Sequence, residues 1–107
     1  MTMNETVKVE LDKLVELISS LKGVLQIYLF GSYASGKQRE TSDIDLMIIV
    51  ENNLDPFKTA YNIRRGLADT DFAIDIIVNR KTAFEEASKI SSFQRSVLEN
   101  GVLLYAS

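Results

Sequence analysis

The stretch FGSYASGKQRETSDIDLMIIV, Phe30 to Val50, places two aspartates, Asp43 and Asp45, at the head of an aliphatic run. Side chains alternate faces along a strand, so both carboxylates point one way and Ile44 the other. Like charges crowded together repel and raise one another's pKa unless a cation lies between them. The pair is therefore costly as bare structure and natural as a divalent-metal clamp. A third aspartate, Asp75, interrupts FAIDIIVN, Phe72 to Asn79, a run that otherwise reads as core. An unpartnered carboxylate in such a run is expensive. If the strands bearing Asp45 and Asp75 are neighbours, the three carboxylates fall within about 4.5 to 8 Å of one another, the spacing of facing and diagonal pairs. Such an oxygen set suits one or two Mg²⁺ ions, with Mn²⁺ the other hard candidate.

The glycine-serine pair ahead of them, Gly31-Ser32, has its own logic. Phe30 ends one strand and a helical turn begins near Ser32, so Gly31 allows a ligand to approach the backbone. Ser32 offers a hydroxyl and an N–H at a helix start, an arrangement that binds phosphate. For this turn to meet Asp43 the two strands must run antiparallel, with the ten residues Tyr33 to Ser42 forming a helical connection between them. Taken singly, each feature has a plain alternative. Ser32 can be a simple helix cap, Asp43 a turn residue, Asp45 a surface partner of Lys37 or Arg39, and Asp75 a solvated charge on an edge strand. The conjunction of Gly-Ser, ten residues and Asp-x-Asp is expected by chance only about once in a thousand chains of this length.

The elements that must position these residues follow from periodicity. Val7, Leu11, Leu14, Val15, Ile18 and Leu21 recur at helical spacing, which predicts an amphipathic helix over residues 5–22. VLQIYLF, Val24 to Phe30, and Ile44 to Val50 read as strands. Asp55 and Pro56 then suit the cap and first position of a helix reaching Ala68. A third strand carries Asp75, and two short helices broken near Ser91-Ser92 lead to an Asn100-Gly101 turn and a terminal LLY, either an edge strand or a packed tail. The pattern predicts an α/β or α+β fold: a small mixed sheet of three to four strands flanked by helices. One domain spanning all 107 residues is expected.

Composition narrows the chemistry. With no cysteine and no histidine, disulfides, thiolate metal sites, Ser-His-Asp triads and imidazole bases are excluded. Carboxylates, hydroxyls, amines and backbone dipoles remain. The net charge of −3 argues against an extended nucleic-acid surface. There is no long apolar run or signal-like N-terminus, so the expected location is the cytoplasm, with no membrane span.

Gly31-Ser32, the ten residues Tyr33 to Ser42, and Asp43-Ile44-Asp45-Leu46 resemble the G-S-x10-D-x-D signature of the minimal nucleotidyltransferases in the DNA polymerase β-like superfamily. The closing SFQRSVLENGVLLY is similar to that family's R-x-I/V-x-x-x-G-x-x-L-Y ending. One departure is Ser35, where the family's turn often carries arginine; Lys37 and Arg39 are the nearby cations. The resemblance implies transfer of a nucleoside monophosphate, AMP from ATP by analogy, to an acceptor hydroxyl. Asp43 and Asp45 would hold two Mg²⁺ ions. Asp75 would complete the metal nearer the acceptor and help deprotonate the hydroxyl, and Gly31 and Ser32 would hold the departing phosphates.

A single domain of this length is expected to lack an acceptor-binding domain, so the resemblance further implies an acceptor carried by a partner. Such proteins resemble the antitoxin halves of HEPN/MNT toxin–antitoxin pairs, which bind a helical HEPN ribonuclease and can add AMP to one of its tyrosines. The R-x4-6-H motif of HEPN proteins cannot occur in a chain without histidine. Two other functions stay open: an antitoxin that only occludes its partner, or a transferase acting on a small molecule. Arg64, Arg65 and the apolar C-terminal segment are candidate partner surfaces.

Overall fold

The computed structural model describes residues 4–39 and 42–107. Residues 40 and 41 of the Ser32-to-Asp43 connection, including the Thr41 that precedes Ser42, lie outside the described residues. Helix α1, Glu5–Ser19, is capped by Asn4, whose side-chain oxygen accepts from the Val7 N–H at 2.9 Å. Its buried stripe is Val7, Leu11, Leu14 and Ile18, as the spacing predicts. It ends short of residue 22 because Ser20 forms the cap and the chain turns through Gly23 at φ 90°. Strand β1, Val24–Phe30, leads into a single helical turn, α2, Ser32–Ser35, and then into β2, Ile44–Val50.

Helix α3 runs Pro56–Gly66, with the Asp55 carboxylate accepting from the N–H groups of Phe57 and Lys58. This is the cap and first-turn proline expected from the sequence, ending two residues early. Strand β3, Ile74–Arg80, passes directly into α4, Lys81–Ile90, and Ser91 breaks the chain before α5, Ser92–Asn100. The terminal segment is a strand, β4, Val102–Ala106, rather than a packed tail.

The sheet has the order β3-β2-β1-β4. β1 is antiparallel to both β2 and β4, whereas β2 and β3 are parallel. This is the mixed sheet anticipated, with four strands. One face is covered by α1 and α3, whose Leu14, Ile18 and Ile63 pack with Leu29, Ile44, Leu46 and Ile48. The other face carries Tyr28, Met47 and Ile49 under Phe84 of α4 and Val97 of α5. Central β2 is thus buried on both faces, and Asp45 is its one residue short of full burial. Among the described residues no helix is long and apolar enough to cross a membrane.

Candidate active site

The strand ends converge on one level of the second face. Phe30 of β1 pairs with Asp45 of β2, and Asp45 pairs with Asp75 of β3. Antiparallel pairing of β1 and β2 brings the exit of one strand to the head of the next, so Gly31-Ser32 and Asp43 meet at the same end of the sheet. Parallel pairing of β2 with β3 sets the third aspartate beside the second.

Asp75 needs a correction. Its strand reads as core, but β3 is an edge strand and Asp75 is exposed. The aliphatic run misleads because the inward side chain, Ile76, meets the α1–α3 layer, while Ile77, on the opposite face, stays 36% exposed. The carboxylate therefore pays no burial penalty. Its meaning lies in its neighbour.

Asp45 bears the strain. Its pKa is raised from 3.8 to about 6, first by desolvation, then by the charge of Asp75 and a side-chain hydrogen bond with it, and last by the charge of Asp43. Surface pairing of Asp45 with Lys37 or Arg39 is not what the structure contains: the ion pair among the described residues is Lys89–Glu86. As they stand, no three or more acidic side chains among the described residues are grouped to hold a metal ion. Asp45 and Asp75 share one spot and Asp43, exposed one residue before β2, adds the weakest influence. An all-oxygen set whose members repel one another nevertheless fits a hard divalent cation.

The turn before α2 is built around Gly31, at φ 75° and ψ −151°, a region essentially reserved for glycine. A Cβ at this position would also overlap the Asp45 carboxylate. Gly31 therefore lets backbone and carboxylate lie against each other. The Gly31 carbonyl accepts from Ser35 N–H at 3.1 Å and the Ser32 carbonyl from Lys37 N–H at 2.9 Å. The first N–H groups of a helical turn have no intrahelical acceptors, the property by which a helix start can bind an anion.

Arg64 and Arg65 lie in the last turn of α3. Arg64 Nη2 donates to the Ile76 carbonyl at 3.2 Å, tying α3 to β3, and the Arg65 guanidinium sits 5.8 Å from the centre of the Tyr61 ring. Sequence reasoning did not single out Phe30 and Phe93, whose rings meet edge to face at 5.4 Å beside the glycine turn. Pairing of Phe30 with Asp45 is invisible until the register is known.

A mixed sheet with Gly-Ser at the exit of its first strand, an acidic pair at the head of its second and a third carboxylate on a parallel neighbour defines a nucleotidyltransferase core. Residues 12–107 match the model of the polymerase beta nucleotidyltransferase family, and the chain belongs to that family. It is a nucleotidyltransferase. A Methanocaldococcus jannaschii protein named "Putative protein adenylyltransferase MJ0604" is 35% identical over 99 residues, covering 84% of this chain and 92% of that one. Two solved structures share the fold. A Sulfolobus solfataricus protein described as a "putative nucleotidyltransferase" superposes with a TM-score of 0.63 at 21% identity, over 98% of this chain and 90% of the other. A chain from the complex of tri-AMPylated Shewanella oneidensis HEPN toxin with MNT antitoxin gives 0.51 at 20% identity, over 98% and 74%.

Proposed function

We propose that this nucleotidyltransferase moves AMP from ATP to a hydroxyl of a partner protein of the HEPN class, as the antitoxin half of a toxin–antitoxin pair. The observation that carries the catalytic part is the register pairing of Asp45 with Asp75, one strand from a glycine turn pressed against the same carboxylate. The name of the M. jannaschii relative and the composition of the S. oneidensis complex support the choice of AMP and of partner.

In this reading Gly31 and Ser32 hold the β- and γ-phosphates. The acceptor oxygen attacks the α-phosphorus, the bond from that phosphorus to the bridging oxygen breaks, and pyrophosphate leaves. Asp75, exposed at the sheet edge, takes the acceptor's proton. Asp43, Asp45 and Asp75 would hold Mg²⁺, or Mn²⁺, whose contribution is to stabilise charge on the attacking and leaving oxygens.

One observation favours a second reading. Phe57 and Ile90 are each 87% exposed, apolar surface that suits an antitoxin that occludes its partner without chemistry. Incubation with Mg²⁺, ATP and the protein encoded beside it, followed by intact-mass analysis, separates the two. An added AMP mass with wild type and none with Asp43→Ala/Asp45→Ala supports transfer. An unmodified but still inhibited partner supports occlusion.

A further inference from the structure

A cavity of about 450 Å³ opens between α2 and α5, lined by Phe30, Gly31 and Ser35 on one side and Phe93, Ser96 and Asn100 on the other. Its size suits a small ligand; such pockets begin at about 300 Å³. Phe30 is the residue paired with Asp45, and Gly31 belongs to the phosphate turn, so the cavity adjoins the site described above. Across the sheet at this level the order is Asp75, Asp45, Phe30 and then the head of β4. Neighbouring strands lie about 5 Å apart. The cavity is therefore one to two strand spacings from Asp45, about the span from an α-phosphate to its base.

The two ends of this row have different tasks. An acceptor hydroxyl must reach Asp75 at the β3 edge to lose its proton. At the opposite end Gly31 and Ser32 take the departing phosphates, and the cavity beside that turn is open to the nucleotide's base. We propose that it is an adenine pocket, in which the base stacks on Phe93 and is read by the Asn100 side chain. This inference rests on the nucleotide-site reading given under Proposed function.

The lining chemistry suits that ligand. Phe93 is 41% exposed although its ring is braced against Phe30, so aromatic surface remains for a base. Asn100 Nδ2 donates to Ser96 Oγ at 3.4 Å. An amide carries two N–H donors and a carbonyl acceptor, so a donor and an acceptor remain. Adenine presents the matching pair, the N6 amino donor beside the N7 acceptor, whereas guanine presents two acceptors on that edge.

Calorimetric titration of the full chain with MgATP, MgGTP and magnesium tripolyphosphate tests the pocket apart from the phosphate grip. Wild type should bind ATP more tightly than GTP or tripolyphosphate. Phe93→Ala should weaken ATP about tenfold, the scale of a lost base stack, while leaving tripolyphosphate unchanged. Asn100→Asp should shift preference toward GTP, because a carboxylate accepts from the N1 and N2 hydrogens of guanine. Tripolyphosphate bound as tightly as ATP by wild type would overturn the pocket and spare the phosphate site. So would unchanged ATP binding in Phe93→Ala with an unchanged ATP-to-GTP ratio in Asn100→Asp. No binding of any of the three would overturn the nucleotide site and the pocket with it.

Discussion

Asp45 is where the sequence's cost concentrates. Its pKa rises from 3.8 to about 6, so folding favours its protonated form. Below 3.8 the group is protonated in both folded and unfolded chains and costs nothing. As pH rises through this window the unfolded chain ionises first, stability falls, and above the folded value the loss is constant. In EDTA, Asp45→Asn should therefore stabilise the protein by about 1 kcal/mol near neutral pH, after discounting for solvent screening at a partly exposed site. Thermal melts should show a gain of about 4 to 8 °C that vanishes near pH 4. A gain of equal size at both ends of that range would mean that charge repulsion is not its source. That Asp43 and Asp45 repel each other was legible from their spacing. Which of them carries the strain was not, because β2 half-buries Asp45 and leaves Asp43 in solvent.

At the scale of elements, local chemistry was readable and long-range register was not. Asn4 was not foreseen as the α1 cap, yet the α1 stripe, the Asp55-Pro56 start of α3 and the Ser91 break all follow from short-range rules. Asp55→Ala removes the acceptor for two N–H groups and should cost about 1 kcal/mol, seen as a lower melting temperature. Because α3 packs on the face away from the carboxylates, titration with MgATP should give an unchanged affinity. A weakened affinity would show that α3 is coupled to the site. β3 is the element the sequence misrepresents. Its isoleucines suggest a strand covered on both faces, but α4 and α5 lie over β1 and β2 and leave its outer half in solvent. Asp75 is consequently reachable from outside, which the proposed role as base requires.

For the whole molecule, the antiparallel turn between β1 and β2 was required by the site itself, since Gly31 cannot otherwise meet Asp43. The position of β4 beside β1 had no such requirement, and a five-residue strand looks the same in sequence as a packed tail. The assembled site should respond to ligand as one unit. At a MgATP concentration a hundred times the dissociation constant, linkage should raise stability by about 2.7 kcal/mol. Asp45→Ala should abolish that increment whatever its own melting temperature. If wild type gains nothing, the phosphate turn and the carboxylates do not act together.

In the proposed reaction these carboxylates transfer a nucleotide with Asp75 as the base. It is tested most directly by supplying ATP labelled at either the α- or the γ-phosphate, together with the partner protein. The expected result is label on the partner from α-labelled ATP only, lost in Asp75→Asn while that variant keeps its fold and its MgATP binding. Transfer of the γ-label, or undiminished α-label transfer by Asp75→Asn, would contradict it.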